Sequence, residues 1–443
     1  MALICYSVRF ARSNHARHIS QARASFDRSL GRNFVRICRQ EKIMAFKITV
    51  LCHETPFPPT HGGKVDMWRR LLALKRAGNH LQIISWDYGA LDAGRAKVMD
   101  HVADDHLYIP LKRTLAFRAQ HLLRFFRHPW FACIRWPGSE LGNIARAVKE
   151  FAPDIIFLDG WHGALVAFYL QDKLGLPLYY RSQNIEHQYI RAQHRYATTF
   201  RARMVTYIAG LHMQKFEHEI ISRSAIVFDI SVDDIKYWNG LGYANIQYLP
   251  PIFGEDSNAA TSEKNAVFDL VFLGNLRTPN NIAGVTWLIE KVMPIIWRSR
   301  PNTTLLLAGS NPDSEFGRYL EGIVNIKVLL NPGDAGKVLV QGRICVNPIS
   351  TAGGVQIKNI DMLLAGRPIV TRSSGVSGLP SDVRKCFFIA DEESQFSDTI
   401  LKLLCNPQQT CDKQLLHSYF GELRIKELID SIASNLENKP QSL

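Results

Sequence analysis

From residue 47 the chain alternates between two kinds of segment. Short uninterrupted apolar runs at 48–52, 81–86, 155–158, 178–180 and 225–228 read as strands covered on both faces. Between them lie stretches with apolar residues at helical spacing. One is 64–77, closed by Gly78, and another is the long region 185–222 with Phe216, Ile220 and Ile221 on one stripe. The alternation stops at 250–265, where paired prolines and then Gly, Ser, Asn and Thr have a linker's composition, and begins again afterwards. Strands are expected at 270–273, 304–308, 344–346 and 368–370, with helices at 282–297, 335–340, 355–365 and 414–435.

The expected fold class is therefore α/β, with parallel sheets flanked by helices. The expected order is an N-terminal Rossmann-like domain over 46–249, a linker over 250–265, a second Rossmann-like domain over 266–405 and a helical tail over 406–443. Two such domains enclose a cleft, and open parallel sheets bind ligands beyond the carboxyl ends of their strands. The site is expected there.

Composition narrows this only slightly. The 443 residues suit two cores rather than one, and 46% hydrophobic with 21% charged residues is the balance of a folded protein. No apolar run reaches the roughly 20 residues that a spanning helix needs. Eight cysteines lie scattered, without a Cys-x-x-Cys pair or zinc spacing, which points to a reducing, cytoplasmic setting and no metal. The net charge of +13 is uneven, because residues 1–45 hold eight arginines and one lysine against Asp27 and Glu41. An organelle transit peptide has this composition; the expectation here is an upstream extension with Met44 as the working initiator. No nucleic-acid motif accompanies the charge, so no nucleic-acid partner is expected. The run 117–136 interleaves cations with Phe and Trp, which suits either an anionic membrane surface on the inner face of the plasma membrane or an amphipathic helix packed on its own domain.

The run from Thr351 to Val370 carries the most specific chemistry. Gly353 and Gly354 lead into a helix starting near Val355, whose free N–H groups and dipole favour an anion such as a diphosphate. Lys358 adds a full positive charge, and Asp361, three residues on, lies on the same face, where a carboxylate can hold a ribose diol. Three other turns sit at expected strand ends. Gly62 and Gly63 follow the first strand, and His162 follows the strand at 155–158 in Asp159-Gly-Trp-His. Gly274 closes the strand at 270–273, followed by Asn275 and Arg277. A ligand-free turn accounts for the glycine pair alone, and Arg277 reads equally as a phosphate contact or a solvated charge. Asn280 or Asn281 is expected to cap the next helix.

Taken together and in this order, these motifs resemble the GT-B glycosyltransferases, in the large retaining group known as family 4. The similarity covers about 46–405. It rests on Gly62-Gly63, Asp159-x-x-His162, the Gly274 turn, Ala308-Gly309, and above all Gly353-Gly354-x-x-x-Lys358-x-x-Asp361 with Ala365-Gly-x-Pro following. The segment Arg181-x-x-Asn184-x-Glu186 is similar to an element of bacterial polysaccharide-assembly members.

The resemblance implies transfer of a sugar from a nucleoside diphosphate to a glycan or lipid-linked hydroxyl acceptor, with retention of configuration and without a metal or other cofactor. Lys358, His162 and Arg277 would carry the chemistry. Gly62, Gly63, Gly274, Asn275, Gly353, Gly354, Val355 and Asp361 would bind the donor, with Leu330 near its base. Asn184 and Glu186 would lie on the acceptor side. Many members carry two glutamates eight positions apart, where this chain has Gly353 and Asp361, and an arginine and lysine where it has Asn275 and Asn280. A GT-B epimerase, or a silent nucleotide-sugar or glycan-binding protein, is the alternative.

Overall fold

Every apolar run expected to be a strand is one, to within about two residues, and all pair in parallel. A computed structural model describes residues 45–88, 92–112, 114–197, 199–253, 266–310, 314–350, 353–408 and 411–438. The expected leader up to 44 and the linker from 254 onward lie outside these residues.

The first sheet contains β1 (Lys47–Cys52), β2 (His80–Tyr88), β3 (Asp105–Leu111), β4 (Ile155–Asp159), β5 (Leu178–Ser182), β6 (Ile226–Asp229) and β7 (Ile246–Tyr248), in the order β3-β2-β1-β4-β5-β6-β7. The second contains β8 (Phe268–Leu273), β9 (Leu305–Gly309), β10 (Ile326–Leu330), β11 (Gly342–Asn347), β12 (Ile369–Thr371) and β13 (Phe388–Ile389), in the order β10-β9-β8-β11-β12-β13. In each, the strand order reverses between the first strand and the fourth, at β1/β4 and β8/β11. A crevice opens outside the carboxyl ends at such a reversal.

Helices cover both faces of each sheet, so strands β1, β4, β5 and β9 are buried but for Lys47 at the start of β1. The region 185–222, expected as one helical stretch, is three helices, Glu186–Tyr196, Phe200–Gly210 and Met213–Arg223. The tail is likewise two, Lys413–Phe420 and Leu423–Glu437, parted at Gly421. The second of these returns to the first sheet, where Ile425, Leu428, Ile429 and Ile432 join the core under β1 and β2. The Tyr179 hydroxyl donates to Asn435 at 2.9 Å. The scattered cysteines also conceal a bond, since Cys386 and Cys411 form a disulfide.

The Gly62–Arg76 helix is fixed to the sheet by charge as well as by apolar packing. Arg70 pairs with Asp66 at 2.7 Å and with Asp159 at the end of β4, and Arg181 of β5 reaches Asp66 at 3.1 Å. All four side chains are at most 1% exposed. Each cation is thus balanced inside the protein, as buried charge requires. Two residues of the motifs, Asp159 and Arg181, therefore hold the helix that presents Gly62 and Gly63.

Candidate active site

The loops after β1, β4, β8 and β11 converge on one cavity of about 920 Å³. Of the expected residues, Gly62, Gly63, His162, Asn184, Glu186, Gly274, Asn275, Gly353, Val355, Lys358 and Asp361 line it. Arg277, Leu330 and Gly354 do not. Arg277 is turned to the exposed side of its loop and its N–H donates to the Asn275 side chain at 2.9 Å. Leu330 ends β10, and the following turn, Asn331 to Gly333, reaches the cavity in its place.

Two helix N-termini meet here. The Gly62–Arg76 helix begins at Gly62, where a side chain's Cβ would stand 3.4 Å from Ile357, the first residue of the Ile357–Leu364 helix. The unpaired N–H groups and dipoles of both are aimed into the same space, which favours an anion. The second helix starts at Ile357, two residues later than the sequence suggests.

Lys358 stands beside this junction. Its ammonium donates to Asn281 Oδ1 at 3.1 Å and lies 4.7 Å from the centre of the Phe272 ring. Among the described residues no carboxylate lies within ion-pair distance of it. Burial pushes its pKa down to about 7. Asn281 also donates to the Asn275 carbonyl at 2.8 Å, and Asn275 Oδ1 accepts from Ser310 at 2.6 Å, so the turns after β8 and β9 are tied to the lysine's support. Asn281 does not cap its helix: the cap is Thr278, with Pro279 next. Its amide faces the cavity instead.

Asp361, expected to meet a ribose, has one oxygen on Arg69 of the other domain at 2.7 Å. Burial raises its pKa against the pull of Arg69. The pair bridges the cleft at its inner end. Gly353 and Gly354 likewise serve closeness between the halves rather than opening a helix. A Cβ on Gly353 would strike the Tyr189 ring, and one on Gly354, whose φ is +61°, would strike the Gln183 carbonyl and the Asn184 side chain. A glutamate at 353 therefore has no room in this arrangement.

His162 stacks on Trp161, with ring centres 3.9 Å apart, and on His53 at 5.2 Å. Burial first, then Arg135 and His53, hold its pKa well below the ordinary histidine range, so the imidazole is neutral. Its buried Nδ1 has no partner among the described residues. Glu186 accepts from Asn184 at 3.2 Å, and its backbone N–H donates to Glu217 at 2.6 Å. Burial and Glu217 raise its pKa to about 8, which leaves an uncharged acid at neutral pH. His61, which carries no mark in the sequence apart from its place before Gly62 in the Pro-rich loop, also lines the cavity and meets Glu54 Oε1 at 2.6 Å through Nε2.

Residues 267–406 match the family model described as "Glycosyl transferases group 1". This match lies in the second domain and is a likeness to the group 1 glycosyl transferases over that part of the chain. Solved structures with the same GT-B fold span nearly all of it. Sucrose-phosphate synthase of Thermosynechococcus elongatus superposes with a TM-score of 0.65 at 12% identity, covering 89% of this chain and 100% of that one. HepE of Anabaena, in complex with UDP and glucose, gives 0.59 at 13% identity over 88% and 99%. By sequence, the chain is 23% identical over 370 residues to a protein of Klebsiella pneumoniae described as an uncharacterized 44.6 kDa protein in the cps region, covering 80% of this chain and 90% of that protein.

Proposed function

We propose that this glycosyltransferase transfers a sugar from a nucleoside diphosphate to a hydroxyl of a glycan or lipid-linked acceptor, with retention at the anomeric carbon, in the assembly of a surface or extracellular polysaccharide. One observation carries the reading: two helix N-termini and a lysine without a carboxylate partner face one point in an interdomain cavity. Cleavage of the donor builds negative charge on the departing diphosphate. Groups already aimed at that charge stabilise the transition state without reorganising. In this reading the Lys358 ammonium and the N–H groups at Gly62, Gly63 and Ile357 receive it, and the acceptor's proton passes to a leaving-group oxygen. The neutral His162 would accept from or donate to a hydroxyl of the donor sugar, and Glu186, with Asn184, would face the acceptor as a hydrogen-bond donor.

The relatives support the donor class and the setting. HepE binds UDP and glucose, which makes uridine the first base to test, and the Klebsiella relative's cps region supports a polysaccharide context. A panel of nucleotide sugars is screened for thermal stabilisation. A true donor at about 100 times its Kd should stabilise by roughly 2.7 kcal/mol. Turnover with that donor is then followed by NMR of the new linkage. Transfer with retention is expected, with a large loss of rate in Lys358→Ala and His162→Ala. Inverted product sinks the retaining mechanism, and donor conversion without any acceptor favours the epimerase alternative.

A further inference from the structure

Two stretches of this chain contain no Asp or Glu at all: 106–139, with six Lys and Arg, and 187–216, with five. They lie far apart in sequence, yet the fold joins them, apart from Arg135, which turns inward and donates to the His53 carbonyl at 2.9 Å. The Phe125 ring meets His212 with centres 6.1 Å apart, and His128 meets Phe216 at 5.6 Å. Their helices present apolar side chains to solvent on the resulting face. Leu115, Leu123 and Phe200 are each 81% exposed and Phe126 72%, with Val205 and Tyr207 more than half exposed.

The cation-and-aromatic run 117–136 supplies only part of this face, and some of its rings lie elsewhere. Trp136 packs on Tyr169 with centres 6.1 Å apart, and Phe131 lines the active-site cavity. The outward apolar residues are Leu115, Leu123 and Phe126, joined by Phe200, Val205 and Tyr207 from a distant part of the chain. Among the Glu186–Tyr196, Phe200–Gly210 and Met213–Arg223 helices lies another cavity of about 370 Å³, lined by Arg191, His194, His212 and Lys215 and by no carboxylate.

We propose that this face docks on an anionic lipid bilayer, with the cationic cavity open to a phosphate headgroup. The charge decides the occupant. A second copy would bring like charge to like, and so would the chain's own arginine-rich residues 1–45. Aliphatic Leu115, Leu123 and Val205 suit the acyl boundary of a membrane, where apolar side chains insert while neighbouring cations meet headgroups; single-stranded nucleic acid could stack on the aromatic rings but would leave these aliphatic side chains uncovered. The same helices turn Ile190 and Ala209 to the active-site cavity. Docking would therefore bring the acceptor-side wall to the membrane surface, where a lipid-linked acceptor resides. The proposal deepens the lipid-linked branch of the functional reading and rests on it only for that purpose.

The test uses the full chain and sedimentation with vesicles of phosphatidylcholine alone or mixed with phosphatidylglycerol, without any nucleotide sugar. Binding to the mixed vesicles and not to the neutral ones is expected, weakening with salt. F200S/V205S and R127E/R201E should each reduce it by about tenfold or more while melting as the parent does. If the apolar pair compromises folding, the charge-reversal pair decides alone. Equal binding to neutral vesicles, no binding to either, or charge-reversed protein that binds as the parent does would overturn the proposal. So would binding of a short RNA that falls in the variants while vesicle binding stays absent. A failure here leaves donor binding and turnover untouched, so it is distinguishable from failure of the transferase reading.

Discussion

Lys358 is the side chain on which the donor chemistry depends, and its protonation is the handle for testing it. Burial holds its pKa near 7 in the free protein, whereas a bound diphosphate favours the ammonium form. Donor affinity should fall as pH rises through that value, by at most about tenfold per pH unit. Calorimetry of UDP or a UDP-sugar across this range is expected to show the slope in the parent and a weaker, flatter dependence in Lys358→Ala. Glu186 runs the other way. Its folded pKa of about 8 lies above the ordinary carboxylate value, so the native state keeps a proton that the unfolded chain releases. Stability linked to it is lost as pH rises towards 8. Glu186→Gln should match the parent in mildly acidic buffer and exceed it above pH 8, by about 2–4 kcal/mol in denaturant titration. Neither shift is legible in the sequence, because both arise from neighbours distant along the chain. Lys358 itself was legible, since glycines, a helix start and a lysine fall within six residues. Asn281 was not, because an asparagine near a helix start has a simpler reading as a cap.

The strands that the sequence concealed are β3, β7, β10 and β13, the four edges of the two sheets. An edge strand has one neighbour and partial cover, so its residues need not be uniformly apolar; β3 is mostly half-buried and β10 mixed. Interior strands announce themselves by unbroken burial. The breaks within 185–222 and 414–435 were hidden for a related reason: the apolar stripe continues on both sides of each turn. The helix at Gly62–Arg76 offers a sharper test of what holds an element in place. Arg70→Ala strips two buried carboxylates, Asp66 and Asp159, of a cation and should cost about 3–5 kcal/mol in unfolding free energy. Gly353→Glu, which installs the carboxylate that the family resemblance implies for many members, should lower turnover without raising donor affinity, because Tyr189 occupies the side chain's path. Tighter donor binding in that variant would show that the loop yields.

Across the molecule, the sequence sufficed for two α/β sheets and a cleft between them, because periodicity is a local property. It could not reveal that the halves are fastened directly. Arg69 bonds Asp361 at 2.7 Å, and Asp233 accepts from Gly378 at 2.9 Å and from Arg384 at 2.5 Å. Arg69→Ala is expected to leave the fold intact and to speed limited proteolysis of the donor-free protein, with protection restored by saturating donor. Unchanged digestion would mean that the other contacts suffice. The helix at Leu423–Glu437 has a different consequence. Ile425, Leu428, Ile429 and Ile432 complete the apolar face beneath β1 and β2, strands made well over 300 residues earlier. During synthesis the first half of the chain must wait on the ribosome with that part of its face uncovered until the last stretch emerges, so a nascent chain stalled before residue 423 should engage chaperones that the finished protein escapes.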